Sequence, residues 1–180
     1  MTSRERASTS ATLRRALALL VLGSAVPGCE SAVAPDDSIT VDIADTASGA
    51  SIGSVLVEQT AGGARFTPNL TGLTSGEHGF HMHVNPSCGS AGQDAGGHYD
   101  PLNTGSHEGP NGNGHLGDLP TLSVNSSGAA TTPVVAPRVS VSDLDGRSLM
   151  IHAGGDNYSD TPAPLGGGGA RVACGVVPAM

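Results

Sequence analysis

Lysine and tryptophan are absent from the 180 residues, and aromatic side chains make up only 2% of them. So few rings exclude a surface built for stacking nucleic-acid bases. Positive charge is scarce as well. Eight arginines stand against 16 acidic residues, a formal net charge of −8, which argues against binding a phosphate backbone. The apolar run at residues 16–26 is too short to cross a bilayer comfortably and has the length of a signal-peptide core. Convincing helical periodicity is missing too. What is plentiful is glycine, at 27 residues, together with valine. A Gly- and Val-rich, aromatic-poor chain reads as a β protein with long loops.

The amino terminus reads as a targeting segment. Arg4, Arg6, Arg14 and Arg15 precede the apolar run, which ends Val26-Pro27-Gly28-Cys29. That ending is similar to a bacterial lipobox, in which the cysteine is lipidated and becomes the first mature residue; Pro27 is unusual at its place. The expected organisation is a lipoprotein-type signal peptide over 1–28, a tether over 29–38 and one folded domain over 39–180. The expected location is outside the cytoplasm, in the periplasm or cell envelope, with membrane contact only through a lipid anchor on Cys29. Maturation would leave four arginines and 15 acidic residues, a balance of −11. It would also leave Cys88 and Cys174 as a pair in an oxidising compartment. A bond between them closes a loop of 86 residues, for which chain entropy gives roughly 4–5 kcal/mol as an upper figure.

About eight strands are expected, at 40–45, 52–58, 63–73, 79–84, through 116–144, at 147–153 and at 171–177. Period-two alternation marks the first, and β-branched runs and turn residues mark others. Within 116–144 the candidates are 116–124, 129–136 and 139–144, and Asp145-Gly146 is a hairpin signal. The fold expected is a sandwich or barrel. Residues 85–114 and 154–169 carry no strand pattern, and loops of that length in a small domain are usually functional.

The histidines give the chemistry. His81 and His83 are two apart on a candidate strand, so both rings share one face. His78, three before His81, falls on the other face and is not expected to be a ligand. His98, His107, His115 and Asp118 follow at separations of 9, 8 and 3. Three imidazoles and a carboxylate are a closed tetrahedral zinc set. His152 ends a strand and offers one more nitrogen; an all-imidazole site suits Cu(II). Two four-coordinate sites need eight donors from these seven residues, so one imidazole is expected to serve both ions.

Six motifs, in order, carry a resemblance. They are Gly79-Phe80-His81-Met82-His83, Gly97-His98-Tyr99-Asp100-Pro101, His107-Glu108-Gly109-Pro110, His115-Leu116-Gly117-Asp118-Leu119-Pro120, His152-Ala153-Gly154-Gly155-Asp156-Asn157 and Gly169-Ala170-Arg171-Val172-Ala173-Cys174-Gly175. Over residues 39–177 the chain resembles the bacterial copper–zinc superoxide dismutases. The resemblance implies an eight-stranded Greek-key β-barrel with two long functional loops. It implies one copper on His81, His83, His98 and His152, and one zinc on His98, His107, His115 and Asp118, with His98 as the shared ring. It further implies that Asp156 links a copper histidine to a zinc histidine, that Cys88 and Cys174 are bonded, and that Arg171 guides the anionic substrate. The implied reaction converts superoxide to oxygen and hydrogen peroxide by alternate reduction and reoxidation of copper, with His98 carrying a proton. Relatives include monomers and dimers, so a homodimer is among the allowed assemblies. The rival expectation is a non-catalytic copper/zinc-binding envelope lipoprotein, which would have no use for an anion-guiding arginine.

Overall fold

The computed structural model describes residues 38–180. The expected signal peptide, almost all of the tether and Cys29 lie outside the described residues. Strand β1 (Ser38–Asp45) shows the alternation that creates it: Val41 and Ile43 are buried, while Thr40 before them and Asp42 between them are exposed. It pairs antiparallel with β2 (Ser51–Thr60), which turns through two residues into β3 (Gly63–Leu70). In β3 every second residue, Ala64, Phe66, Pro68 and Leu70, faces inward. The next strand on that side covers only Ala64–Phe66, so Pro68, with no N–H to give, lies beyond the paired stretch.

The rest of the β framework is made of shorter pieces. These are β4 (Gly76–His78), β5 (Phe80–His83), β6 (Leu122–Val124), β7 (Val134–Ala136), β8 (Ser148–His152) and β9 (Arg171–Val176). Seven strands form one antiparallel sheet in the order β5-β8-β9-β1-β2-β3-β7, and β4 pairs with β6 in a second. β4 and β5 are one bent strand broken at Gly79, which makes the count eight. Gly79 still donates to Gly154 O (2.7 Å) and accepts from His152 N (2.8 Å). β4 extends β5 at one end of the long sheet and carries β6 beside it, and the long sheet curls on itself. Phe66 on β3 and Phe80 on β5 lie far apart in strand order, yet their rings meet edge to face at 5.5 Å. Between the faces sits an aliphatic core including Val41, Ile43, Val55, Val57, Leu122, Leu144, Leu149 and Ile151. β8 returns beside β5 after β6 and β7 have been laid elsewhere, the long return of a Greek key.

The strand expected at 139–144 is instead a 3-10 turn, Val141–Leu144. Ser140 decides this: its N–H and hydroxyl both bond Asp143 Oδ2 (2.8 and 2.6 Å), closing a local turn that an extended chain would break. Asp145-Gly146 accordingly leads from this turn into β8 and does not join two strands. The strand expected at 116–124 shrinks to Leu122–Val124, and that at 129–136 to Val134–Ala136. Both unpatterned stretches are loops, one between β5 and β6 and one between β8 and β9, holding only short 3-10 turns. The Cys88–Cys174 disulfide ties the first of them to β9.

Candidate metal centre

β5 has two faces with two jobs. Phe80 and Met82 enter the apolar core, while His81 and His83 point the other way, toward the loops. One edge of β5 pairs with β8. Among the described residues its other edge has no strand neighbour and is capped by two loop segments. Tyr99 N donates to Met82 O (2.8 Å), Met82 N donates to Gly117 O (2.9 Å), and Val84 N donates to Gly97 O (3.0 Å). These bonds set His98 beside His83 and Asp118 beside His81. Only glycine fits at 117, since a Cβ there would run into Met82 O. On the opposite side, a register shift between Ile151 and His152 swings His152 into line with Arg171 on β9.

Two groups result, each with its donor atoms within 4.8 Å of one another: His81, His83, His98 and His152, and His98, His107, His115 and Asp118. Both consist of buried residues, and His98 belongs to both. Its ring centroid lies 3.9 Å from that of His81 and 5.3 Å from that of His107. His78 stays outside both groups, its ring nitrogens 2.6 Å from His152 O and 2.8 Å from Thr74 O.

The second nitrogen of each ring is committed elsewhere, which fixes what the first can do. His83 Nδ1 donates to Gly96 O (2.9 Å) and His152 Nδ1 to Gly169 O (3.1 Å). Asp156 takes His81 Nε2 on one oxygen and His107 Nε2 on the other, both at 2.8 Å. This leaves His81 Nδ1, His83 Nε2 and His152 Nε2 buried with no hydrogen-bond partner. A buried, unpaired nitrogen is costly, and three of them in one donor group are lone pairs waiting for a cation. Asp118 adds the same signal. Its Oδ1 is approached by His98, His107 and His115 Nδ1 at 2.8, 2.9 and 3.3 Å, a cage about one point. The residues therefore fit two metal ions.

Electrostatics separate the two groups. Burial pushes His83 down to about 2, His81 to about 3 and His152 to about 4, so all three are neutral donors near pH 7. His98 is lowered by burial as well. Burial also acts against a charged His107, but hydrogen bonds to Asp118 and Asp156 outweigh it and raise the ring to about 9. Those two carboxyls are burdened by burial, yet their histidine partners hold both well below the usual range.

Beside the all-histidine group opens a cavity of about 330 Å³ lined by His98, His152, Gln93, Leu165 and Arg171 among others. Arg171 is fixed there by two carbonyls, Nη1 to Gly92 O (2.6 Å) and Nη2 to Gly96 O (2.7 Å).

The family model described as copper/zinc superoxide dismutase (SODC) matches residues 51–177. The chain belongs to the copper/zinc superoxide dismutase family. Superoxide dismutase [Cu-Zn] 2 of Salmonella typhimurium is 52% identical over 159 residues, covering 83% of this chain and 92% of the relative. The solved copper/zinc superoxide dismutase from Brucella abortus is 50% identical with a TM-score of 0.74, covering 78% of this chain and 99% of that one. A monomeric copper, zinc superoxide dismutase from Salmonella enterica, solved in solution, is 53% identical with a TM-score of 0.70, covering 78% and 99%. Copper and zinc are the cofactors, as the family match and the two histidine clusters show. The sequence reading did not find the carbonyls of Gly92, Gly96 and Gly169. A main-chain acceptor has no side-chain signature, and the only available signal was glycine density next to His98 and Arg171.

Proposed function

We propose that in this superoxide dismutase His81, His83, His98 and His152 hold copper, that His98, His107, His115 and Asp118 hold zinc, and that Arg171 receives the substrate. The activity is the conversion of two superoxide ions and two protons to oxygen and hydrogen peroxide. Copper supplies the one-electron couple this reaction needs, and zinc a fixed charge without redox chemistry. The observation that carries the reading is His98, the one residue common to both donor groups.

The protein's own groups account for the rest. Arg171 presents a guanidinium to the cavity with its position fixed by two carbonyls, ready to bind an anion beside His98 and His152. His98 Nδ1 faces Asp118, so Nε2 is the atom that turns toward the copper group and can hold the proton destined for peroxide. Asp156 keeps the rings of His81 and His107 in fixed tautomers, coupling the shape of one site to the other. Arg171 also sets the enzyme apart from a mere metal store, which needs no anion site.

The disulfide accords with an exported protein. The signal peptide over 1–28, the tether, the lipid on Cys29 and the cell-envelope location are part of this proposal, supported by the basic start, the apolar run and Val26-Pro27-Gly28-Cys29. Both donor groups are complete within one chain, so no second copy is needed to build them.

The test is superoxide turnover by the purified mature protein with copper and zinc counted per chain, beside Asp118→Ala. The variant is expected to lose zinc ahead of copper. Unchanged zinc content in it would overturn the assignment.

A further inference from the structure

We infer that Asp160 is a positioning residue for the zinc site, a carboxylate clamp that joins the two long loops through their main chains. The inference rests on His107 being a zinc ligand. The Asp160 side chain is exposed, yet both its oxygens are engaged inward. Oδ2 accepts the main-chain N–H of His107 at 2.8 Å, in the loop between β5 and β6. Oδ1 accepts the main-chain N–H of Leu165 at 3.0 Å, in the loop between β8 and β9. Those two bonds, His107's first, hold the carboxyl below its usual range.

What lies beyond Leu165 shows why the clamp matters. Leu165 has φ +54, a left-handed conformation that a leucine adopts at a cost and keeps only where its surroundings impose it. Gly166 follows, its N–H bonded to Ser159 O and its carbonyl to Asn157 N, both at 3.1 Å. This turn presses glycine backbone against the Asp156 carboxylate and the His107 ring; a Cβ on Gly166 would overlap the carboxylate and stand 2.8 Å from His107 Nε2. Residues 156–166 thus hold His107 three ways. Asp156 takes Nε2, Gly166 covers the ring, and Asp160 fixes the backbone while also fixing the turn that carries Gly166. The Nδ1 that faces Asp118 Oδ1 at 2.9 Å is aimed by this grip. Asp118 cannot supply it, because its own contact is with the nitrogen being aimed.

The experiment compares the wild-type holoenzyme with Asp160→Ala, Asp160→Asn and Asp118→Ala. It reads the rates at which zinc and copper pass to chelators, and the visible spectrum with Co(II) in place of zinc. Asp160→Ala is expected to release zinc about 10–100-fold faster, the scale of losing a partner behind a metal ligand, with copper release unchanged and the cobalt bands shifted. Asn keeps one acceptor oxygen for two N–H groups, so Asp160→Asn should fall between Ala and wild type. Wild-type zinc release and an unshifted cobalt spectrum in Asp160→Ala would overturn the clamp. Equal acceleration of zinc and copper would overturn it too, since that is general loosening. If Asp118→Ala loses zinc while Asp160→Ala keeps it, only the clamp fails. If Asp118→Ala keeps its zinc, the ligand reading fails and takes the clamp with it.

Discussion

One carbonyl, Gly96 O, accepts both from His83 Nδ1 and from Arg171 Nη2. It therefore sets the tautomer of His83 and the place of Arg171 together. Arg171→Ala removes the charge and leaves every donor of the two groups intact. Activity is expected to fall ten- to a hundredfold, the worth of a hydrogen bond to a charged group, while copper and zinc counts per chain stay at wild-type values; full activity in that variant would remove Arg171 from the mechanism. The buried rings make a second prediction, for the metal-free protein. His81, His83 and His152 titrate at about 3, 2 and 4 when folded and near 6.5 when unfolded. The unfolded chain thus binds more protons between those limits, and stability should fall as pH drops from about 6.5 toward 4, by roughly 4 kcal/mol per pH unit at the steepest for three protons. His107, raised to about 9, has the opposite sign: its contribution is complete below about 6.5 and is lost as pH rises through about 9. Denaturant unfolding of metal-free protein should therefore show greatest stability near pH 7, and a flat profile from 7 to 4 would contradict it.

At the scale of elements, the glycines after β8 let two loops meet. A Cβ on Gly166 would overlap Asp156, and its φ of +71 is unfavourable for alanine in any case. Gly166→Ala should cost about 1–3 kcal/mol and speed zinc loss, read as melting temperature and metal retention; an unaltered variant would mean that the loops do not interlock as described. Much of this level was legible in the sequence. Period two in β1 and in His81-Met82-His83 gave the correct faces, because in a strand side-chain direction follows from the backbone alone. Val139 to Leu144 misled, since its apolar spacing suits a strand while the Ser140–Asp143 bonds impose a turn. The histidine spacings announced two donor sets because ligand chemistry resides in side chains. Asp160 was silent, as nothing in its neighbours reveals that it reaches the main chain of a residue 53 positions away.

Across the whole molecule, charge sets how substrate arrives. There is no lysine, and of the arginines within the described residues Arg65 pairs with Glu58, while Arg138 and Arg147 bond main-chain carbonyls. Only Arg171 lines the cavity as a fixed cation. An anion is thus drawn over short range, within a Debye length of about 8 Å at physiological salt, against a negative background. The dependence of kcat/KM on ionic strength is expected to be shallow; a steep fall on adding salt would reveal long-range attraction that this charge distribution does not provide. The capping of β5 by loop segments reaches further. Those segments satisfy an edge that is otherwise a row of free main-chain donors and acceptors, a template on which another polypeptide can stack. With His98 and Asp118 as the proposed ligands, bound ions would also hold these segments over that edge, and removing them would open it to another strand.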